Sequence, residues 1–376
     1  MTRAVVIGGG LHGISTAMHL AQKRLDVVVV EKNTAGRHAS GVNAGGVRQL
    51  RRDLAEVPLS AAAMERWFAL DRFLGPDLAP LCEFTGDVGQ LAIAEDAAEM
   101  AALETRAAEL RALGWTHEEP IGRAELRRLA PALAPHCVGG LVSRRDGYAN
   151  PYRTTQAFRI KAERDGVRFR EGTRVTGLEQ TRGRWRVATG AGAIEADLVV
   201  NCGGAWAWQV AEMVGEVLPR VHFAASMMVT ARLPKFLDPV VLGTGRKLSF
   251  KQAENGTVVI GGGILGIPDL VAETAEPLAE RLVESARTVH DLFPVMRRAV
   301  IVRCWAGLEA LMPDQIPVIG PSRVAPGLWH AFGFSGHGFQ LSPIVGSLLA
   351  DLIVDGESPL PLEPFRADRF NEGAAR

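Results

Sequence analysis

Three glycines and one acid near the start of the chain are the residues whose spacing most clearly implies chemistry. Gly8, Gly10 and Gly13, in Ile7-Gly8-Gly9-Gly10-Leu11-His12-Gly13, fit the pattern G-x-G-x-x-G. In that pattern the first glycine permits a tight turn and the second lets the backbone approach a pyrophosphate. The third lets the following helix pack closely on the strand before it. Free N–H groups at the helix start then face the phosphates, and the helix dipole favours their negative charge. The glycines follow Ala4–Ile7, a continuous apolar run such as a buried parallel strand shows. A second run, Val27–Val30, leads into Glu31, eighteen residues past Gly13, where a carboxylate can accept hydrogen bonds from an adenosine ribose. A bare glycine pattern says little. Strand, glycines, helix, strand and acid in this order predict a dinucleotide site.

Other chemistries find less support. No Ser-His-Asp arrangement and no pair of carboxylates stands out. Cys82, Cys137, Cys202 and Cys304 are widely spaced and form no C-x-x-C. They imply neither a metal site nor a disulfide framework, but free thiols in a reducing compartment. Lys+Arg and Asp+Glu balance at 42 each, so net charge gives no pull toward nucleic acid or an anionic membrane. A first strand beginning at residue 4 leaves no room for a signal peptide, and apolar runs such as Ile344–Val354 fall short of the roughly 20 residues of a membrane span. The expectation is a cytoplasmic protein with small-molecule partners.

A chain of 376 residues suggests two domains. Helical periodicity is clear in Gly13–Lys23, Ala97–Leu113 and Pro277–Met296, and Asn150-Pro151 reads as a cap and first residue of another helix. Strands are expected at Val167–Glu171, Arg174–Glu179, Arg184–Thr189, Leu198–Cys202, Met227–Val229, Lys247–Lys251, Thr257–Ile260 and Leu328–Phe332. Asn255-Gly256 is a hairpin turn signal. A Gly-rich turn, Gly333–Gly338, precedes a helix expected over Ser342–Val354. Residues 1–47, 141–217 and 307–376 are thus assigned to a discontinuous nucleotide-binding domain. Residues 48–140 and 218–306 are assigned to a substrate domain, the first part mostly helical and the second sheet-rich. The fold class is α/β, a Rossmann-like domain interleaved with an α+β domain built on a mostly antiparallel sheet. A simple nicotinamide dehydrogenase usually keeps its dinucleotide domain in one block.

Six segments, in order and spread over nearly the whole chain, resemble the family of FAD-dependent oxidases and dehydrogenases typified by D-amino acid oxidase, glycine oxidase and sarcosine oxidase. They are Val6–Glu31, Ala39–Arg48, Asp146–Pro151, Ala196–Trp206, Arg303–Gly320 and Phe334-Ser335-Gly336-His337-Gly338-Phe339. The resemblance implies FAD as cofactor. It assigns contacts to Gly8, Gly10, Leu11, His12, Gly13, Glu31 and Lys32, and to the small-residue loop through Ala39, Ser40, Asn43, Ala44, Gly45 and Gly46. Val175 would meet the adenine, Gly203 and Trp206 the pyrophosphate side, and Gly336, His337, Gly338, Phe339 and Gln340 the pyrimidine end of the flavin.

Departures from the family pattern narrow the expectation. The cysteine that links flavin covalently in sarcosine oxidase-like members falls at Gly307 when Met312-Pro313-Asp314 is aligned, so non-covalent FAD is expected. The arginine that clamps the substrate carboxylate in amino acid oxidases is Glu309 here, which could instead meet a substrate amine or hydroxyl. Arg48 and Arg51 keep the R-x-x-R spacing of another family loop, in which one arginine faces the ring and the other binds the carboxylate. The three-residue spacing puts both on one face if the segment is helical. With Arg52 beside them, a solvated basic stretch is the alternative. Gln340 stands where relatives carry lysine and completes the expected clamp with Arg51. A second family lysine, used with oxygen, corresponds to Val259, which favours a dehydrogenase over an oxidase. The implied reaction is oxidation of a C–N bond in an amino or imino acid by hydride transfer to the flavin, giving an imine. The electron acceptor would be oxygen, a quinone or a partner flavoprotein. Trp-Ala-Gly-hydrophobe-Glu with Met-Pro-Asp resembles hydroxyproline and opine dehydrogenases, some of which are subunits of hetero-oligomers.

Overall fold

The computed structural model describes residues 1–370. Arg3–Ile7 forms the centre of a six-stranded sheet, in parallel with Asp26–Val30 on one side and Leu198–Asn201 on the other. Leu328–Phe332 and Val318–Pro321 extend the sheet at one end and Arg168–Arg170 at the other. Val5, Val6, Val29, Val199 and Val200 are fully buried because both faces are covered. Helices Leu11–Gln22, Pro151–Arg164 and Gly338–Asp355 pack on one face. A three-stranded antiparallel sheet, Val175–Thr181, Arg184–Thr189 and Gly192–Ala196, covers the other. The last of these strands has no sequence signal, since only Ile194 and Ala196 of its five residues are buried.

The second sheet runs in the order Ile301–Ala310, His222–Thr230, Val258–Asp269, Ser249–Gln252, Val240–Gly243, Gln90–Ala94, Gly139–Ser143, Glu119–Gly122. The Val240–Gly243/Gln90–Ala94 pair is parallel and the others antiparallel. Helix Ala279–Leu292 covers its outer face through Val289 and Leu292. Gly139–Ser143 and Ile301–Ala310 both belong wholly to this sheet, so the crossings expected at 140/141 and 306/307 fall inside strands. Val258–Asp269 runs nine residues past its expected end at Ile260. Gly261-Gly262-Gly263 reads as a break but is absorbed as an irregularity opposite Met227, with Gly262 and Gly263 at positive φ.

The final helix begins at Gly338, four residues before Ser342. Pro343 looks like a first-turn residue but lies inside the helix, and Ser342 Oγ donates to Phe339 O, the carbonyl that Pro343 cannot serve. The helix is apolar because it is core: it crosses Leu11–Gln22 at close range, with Ser15 Oγ donating to Ser342 O at 2.8 Å. At Gly346 a Cβ would lie 2.3 Å from Ser15 Oγ and 2.5 Å from the Ser15 carbonyl carbon. Gly346→Ala should therefore destabilise the fold by about 1–3 kcal/mol through overpacking. A thermal unfolding midpoint equal to that of the unsubstituted protein would show that the two helices can part without cost.

Candidate active site

A cavity of about 1010 Å³ runs from the glycine turn, between the two sheets, to the arginine loop. Every residue singled out above for cofactor or substrate lines it except Gln340. At one end, Gly8 sits at φ +109°, and a Cβ on Gly13 would lie 2.0 Å from Gly8 O, so the turn and the helix meet only as glycines. Helix Leu11–Gln22 starts at Gly10 with no capping side chain and no acid in its first turn. Ser40 Oγ accepts from Leu11 N at 2.8 Å and ties the small-residue loop to that helix end. Glu31 accepts from Gly9 N at 2.7 Å and from Asn33 N at 2.8 Å, so it braces the turn while it lines the cavity. A carboxylate has about four acceptor positions, which leaves capacity for a ribose.

Two features at this end carry no sequence signal. Lys32 Nζ lies 3.0 Å from the Trp206 ring centroid, and burial pushes its pKa down to about 8. Glu273, from the tip of the Val258–Glu276 hairpin of the second sheet, reaches across to Lys32, Asn33 and Arg174. Burial opposes ionisation there, but those three donors hold its pKa down at about 2. The Trp206 indole donates to Leu270 O of the same tip at 3.0 Å. Only folding brings these segments together.

The second helix end meets the first. Helix Gly338–Asp355 starts from His337, again with no capping side chain and no first-turn acid. The His12 ring stacks on Phe334 at 3.5 Å, and its Nε2 meets Gly338 O at 2.9 Å. Because a carbonyl only accepts, Nε2 carries the proton, and burial keeps the imidazole neutral with a pKa of about 3. His337 Nδ1 lies 2.9 Å from buried Glu56 Oε2. Burial, with Arg52 and Arg48 nearby, pushes the His337 pKa down to about 4, so a neutral imidazole donates to the Glu56 carboxylate.

The arginine loop is not helical, contrary to the condition set for the R-x-x-R pair. It follows the short strand Gly46–Val47, and Arg51 adopts φ +57°. Arg48 and Arg51 line the cavity all the same. Arg48 donates to Leu50 O, and Arg51 Nη1 donates to Gly243 O at 3.0 Å. The solvated basic stretch is ruled out by Arg52, which is 1% exposed and donates to Arg48 O and to Gln340 Oε1. Gln340 is itself fully buried, its amide held by Ser60 and Arg52, so it cannot complete a substrate clamp. Buried Asp146 accepts from Gln49 N at 2.9 Å and Leu50 N at 3.0 Å, and burial pushes its pKa up to about 6.

Glu309 faces the cavity from strand Ile301–Ala310, opposite Phe223. Its Oε1 accepts from Gly336 N at 2.7 Å, and burial pushes its pKa up to about 7. At Gly307 a side chain would start 2.6 Å from Val42 Cγ2, whereas Cys304 points to the opposite face of the strand and is exposed. Lys251 departs from expectation. It pairs directly across from Val259 on the same sheet face, and its Nζ lies 3.2 Å from where a Gly45 Cβ would stand. Among the described residues no carboxylate contacts it, and burial lowers its pKa to about 7. A lysine therefore does stand beside the small-residue loop.

With this geometry in hand, comparison with known proteins is specific. The family model for FAD-dependent oxidoreductases matches residues 3–352, and the chain belongs to that family. It is 32% identical over 66% of its length to the hydrogen cyanide synthase subunit HcnC of Pseudomonas aeruginosa, covering 59% of that protein. It is 26% identical over 98% of its length to rat mitochondrial dimethylglycine dehydrogenase, but spans 45% of it. Among solved structures, L-proline dehydrogenase from P. horikoshii superposes with a TM-score of 0.91 at 28% identity, covering 100% of this chain and 99% of that one. The fold is thus that of the FAD-dependent oxidoreductases.

The Glu309 carboxyl sets a pH dependence. With a pKa of about 7 it is neutral below that pH and a carboxylate above it. A ligand N–H placed at Glu309 would be held better by the carboxylate, so affinity for such a ligand should strengthen as pH rises through about 7. That limb should vanish in Glu309→Gln. A pH profile of half-maximal flavin reduction with the same limb in the variant would assign it to another group.

Proposed function

We propose that the chain oxidises a C–N bond of a small amino or imino acid with non-covalently held FAD, giving an imine. One observation carries the reading. Arg51 lines the same cavity as two helix starts that carry no acid, and among the described residues its guanidinium bonds a carbonyl and forms no side-chain ion pair. The residues fit FAD. The glycine turn admits no Cβ, both helix starts lack their own anion, and Glu31 retains acceptor capacity toward the cavity. When bound, FAD supplies the hydride acceptor.

The chain's own groups bind and orient. Arg51 holds the substrate carboxylate, and its planar fork fixes direction as well as charge. Glu309 accepts from the substrate nitrogen across the cavity. The uncapped start of Gly338–Asp355 stabilises negative charge gathering at that end. His337, kept neutral by burial, adds no competing cation. Electrons then leave to an acceptor other than oxygen, and the subunit status of HcnC supports assembly with a partner chain. A second reading, direct reoxidation by oxygen, is favoured by Lys251 beside Gly45. The rate at which oxygen alone reoxidises the reduced protein decides between them.

Two outcomes are expected. Acid precipitation should leave yellow FAD in the supernatant, and yellow kept in the pellet would mean a covalent link. Arg51→Lys should raise the amino acid concentration for half-maximal anaerobic flavin reduction by about tenfold while FAD stays bound, since an ammonium cannot reproduce the bidentate contact. An unchanged titration would place the carboxylate elsewhere.

A further inference from the structure

The loop that carries Arg51 is the least regular part of the cavity wall. A residue other than glycine at φ +57° persists only where its surroundings over-determine it. Buried side chains from two distant segments supply that constraint. Asp146 takes the N–H groups of Gln49 and Leu50, as described above. Glu118, whose side chain is fully buried, accepts from Arg51 N at 2.5 Å. Arg106, on helix Ala97–Ala112, grips both Glu118 oxygens at 2.7 and 2.9 Å. The same Arg106 Nη2 donates to Arg52 O at 2.7 Å, so the residue after the turn is held as well.

We propose that Glu118, locked by Arg106, is a positioning residue for Arg51. It holds the backbone in the left-handed turn that aims the guanidinium into the cavity, and so sets affinity for the substrate carboxylate. The inference rests on the reading of Arg51 as that clamp. It gives the helical insertion a task beyond packing. Helix Ala97–Ala112 and the segment after it bring Arg106 and Glu118 to a loop more than fifty residues away in sequence. An unpaired Arg51 N–H in this buried setting would be costly, and relaxing φ to a negative value would redirect the side chain. Glu118 touches neither the glycine turn nor the Gly338 helix start. Its loss should therefore act on the substrate end alone.

The test uses the FAD-loaded protein and benzoate as a simple carboxylate probe, read by perturbation of the flavin spectrum, with benzamide as the neutral control. Glu118→Gln keeps the size but removes the charge that holds Arg106 and sets an amide donor against its guanidinium. Benzoate Kd should rise about tenfold, as expected when a hydrogen bond to a charged group is lost. Benzamide binding and FAD affinity should not change. In an Arg51→Ala background, Glu118→Gln should add nothing, because the two act through one contact. Should Glu118→Gln yield no folded protein, Arg106→Gln is read in the same way. Arg51→Ala weakening benzoate while Glu118→Gln and Arg106→Gln do not would overturn the positioning role and leave the clamp. So would a full additive effect on Arg51→Ala. No benzoate perturbation in the unsubstituted protein, or unchanged binding in Arg51→Ala, would sink the clamp reading itself.

Discussion

Two helix N-termini are aimed into one cavity, neither capped by its own N-cap residue and neither with a first-turn acid. Among the described residues, the only side-chain acceptor on the first is the neutral Ser40 hydroxyl. Each end carries the equivalent of roughly half a positive charge, so bringing them together is unfavourable until an anion sits between them. The fold accepts this arrangement because packing leaves it no alternative. Ser15 and Gly346 lock the two helices side by side, and the His12–Phe334 stack with the Gly338 bond joins their starts. Keeping His12 neutral matters here, since a protonated imidazole would add a third positive group at the same point. An anionic cofactor satisfies both ends at once, which is why cofactor site and protein core are one structure.

The substrate end follows the opposite logic. Charges there are supplied by side chains and are largely buried, and buried charges persist only when paired and hydrogen-bonded. Glu118 and Asp146 take backbone N–H groups and together fix the path of the arginine loop, while Glu56 takes the His337 ring. Arg52 is spent internally on Arg48 O and Gln340. Arg48 and Arg51 are left with carbonyl partners and line the cavity, and of the two Arg51 reaches across to Gly243 O of the second sheet.

Much of the nucleotide half was legible in the residues because its signals are local. Val5, Val6, Gly8, Gly13 and Glu31 lie within one strand-helix-strand unit, and their spacing carries the physics. The arginine loop was half legible. Arg48 and Arg51 stood out by spacing, but their turn depends on Glu118 and Asp146, which no local pattern links to them. Gln340 was misread for the same reason, since its partners Ser60 and Arg52 are distant in sequence. Gly261–Gly263 and Pro343 misled as element boundaries because tertiary contacts overrode their usual punctuation. Lys251 is close to Val259 in sequence but on a different strand, and only the strand register shows that the two stand directly across from each other.

The central claim is that one cavity holds a flavin on its helix ends and an amino or imino acid by its carboxylate at Arg51. The most direct measurement is anaerobic bleaching of the bound flavin by matched pairs such as L-proline and pyrrolidine, or N-methylglycine and dimethylamine. The account predicts that bleaching by the effective amino or imino acid is lost when the carboxylate is removed. Equal bleaching by the amine at the same concentration would contradict it.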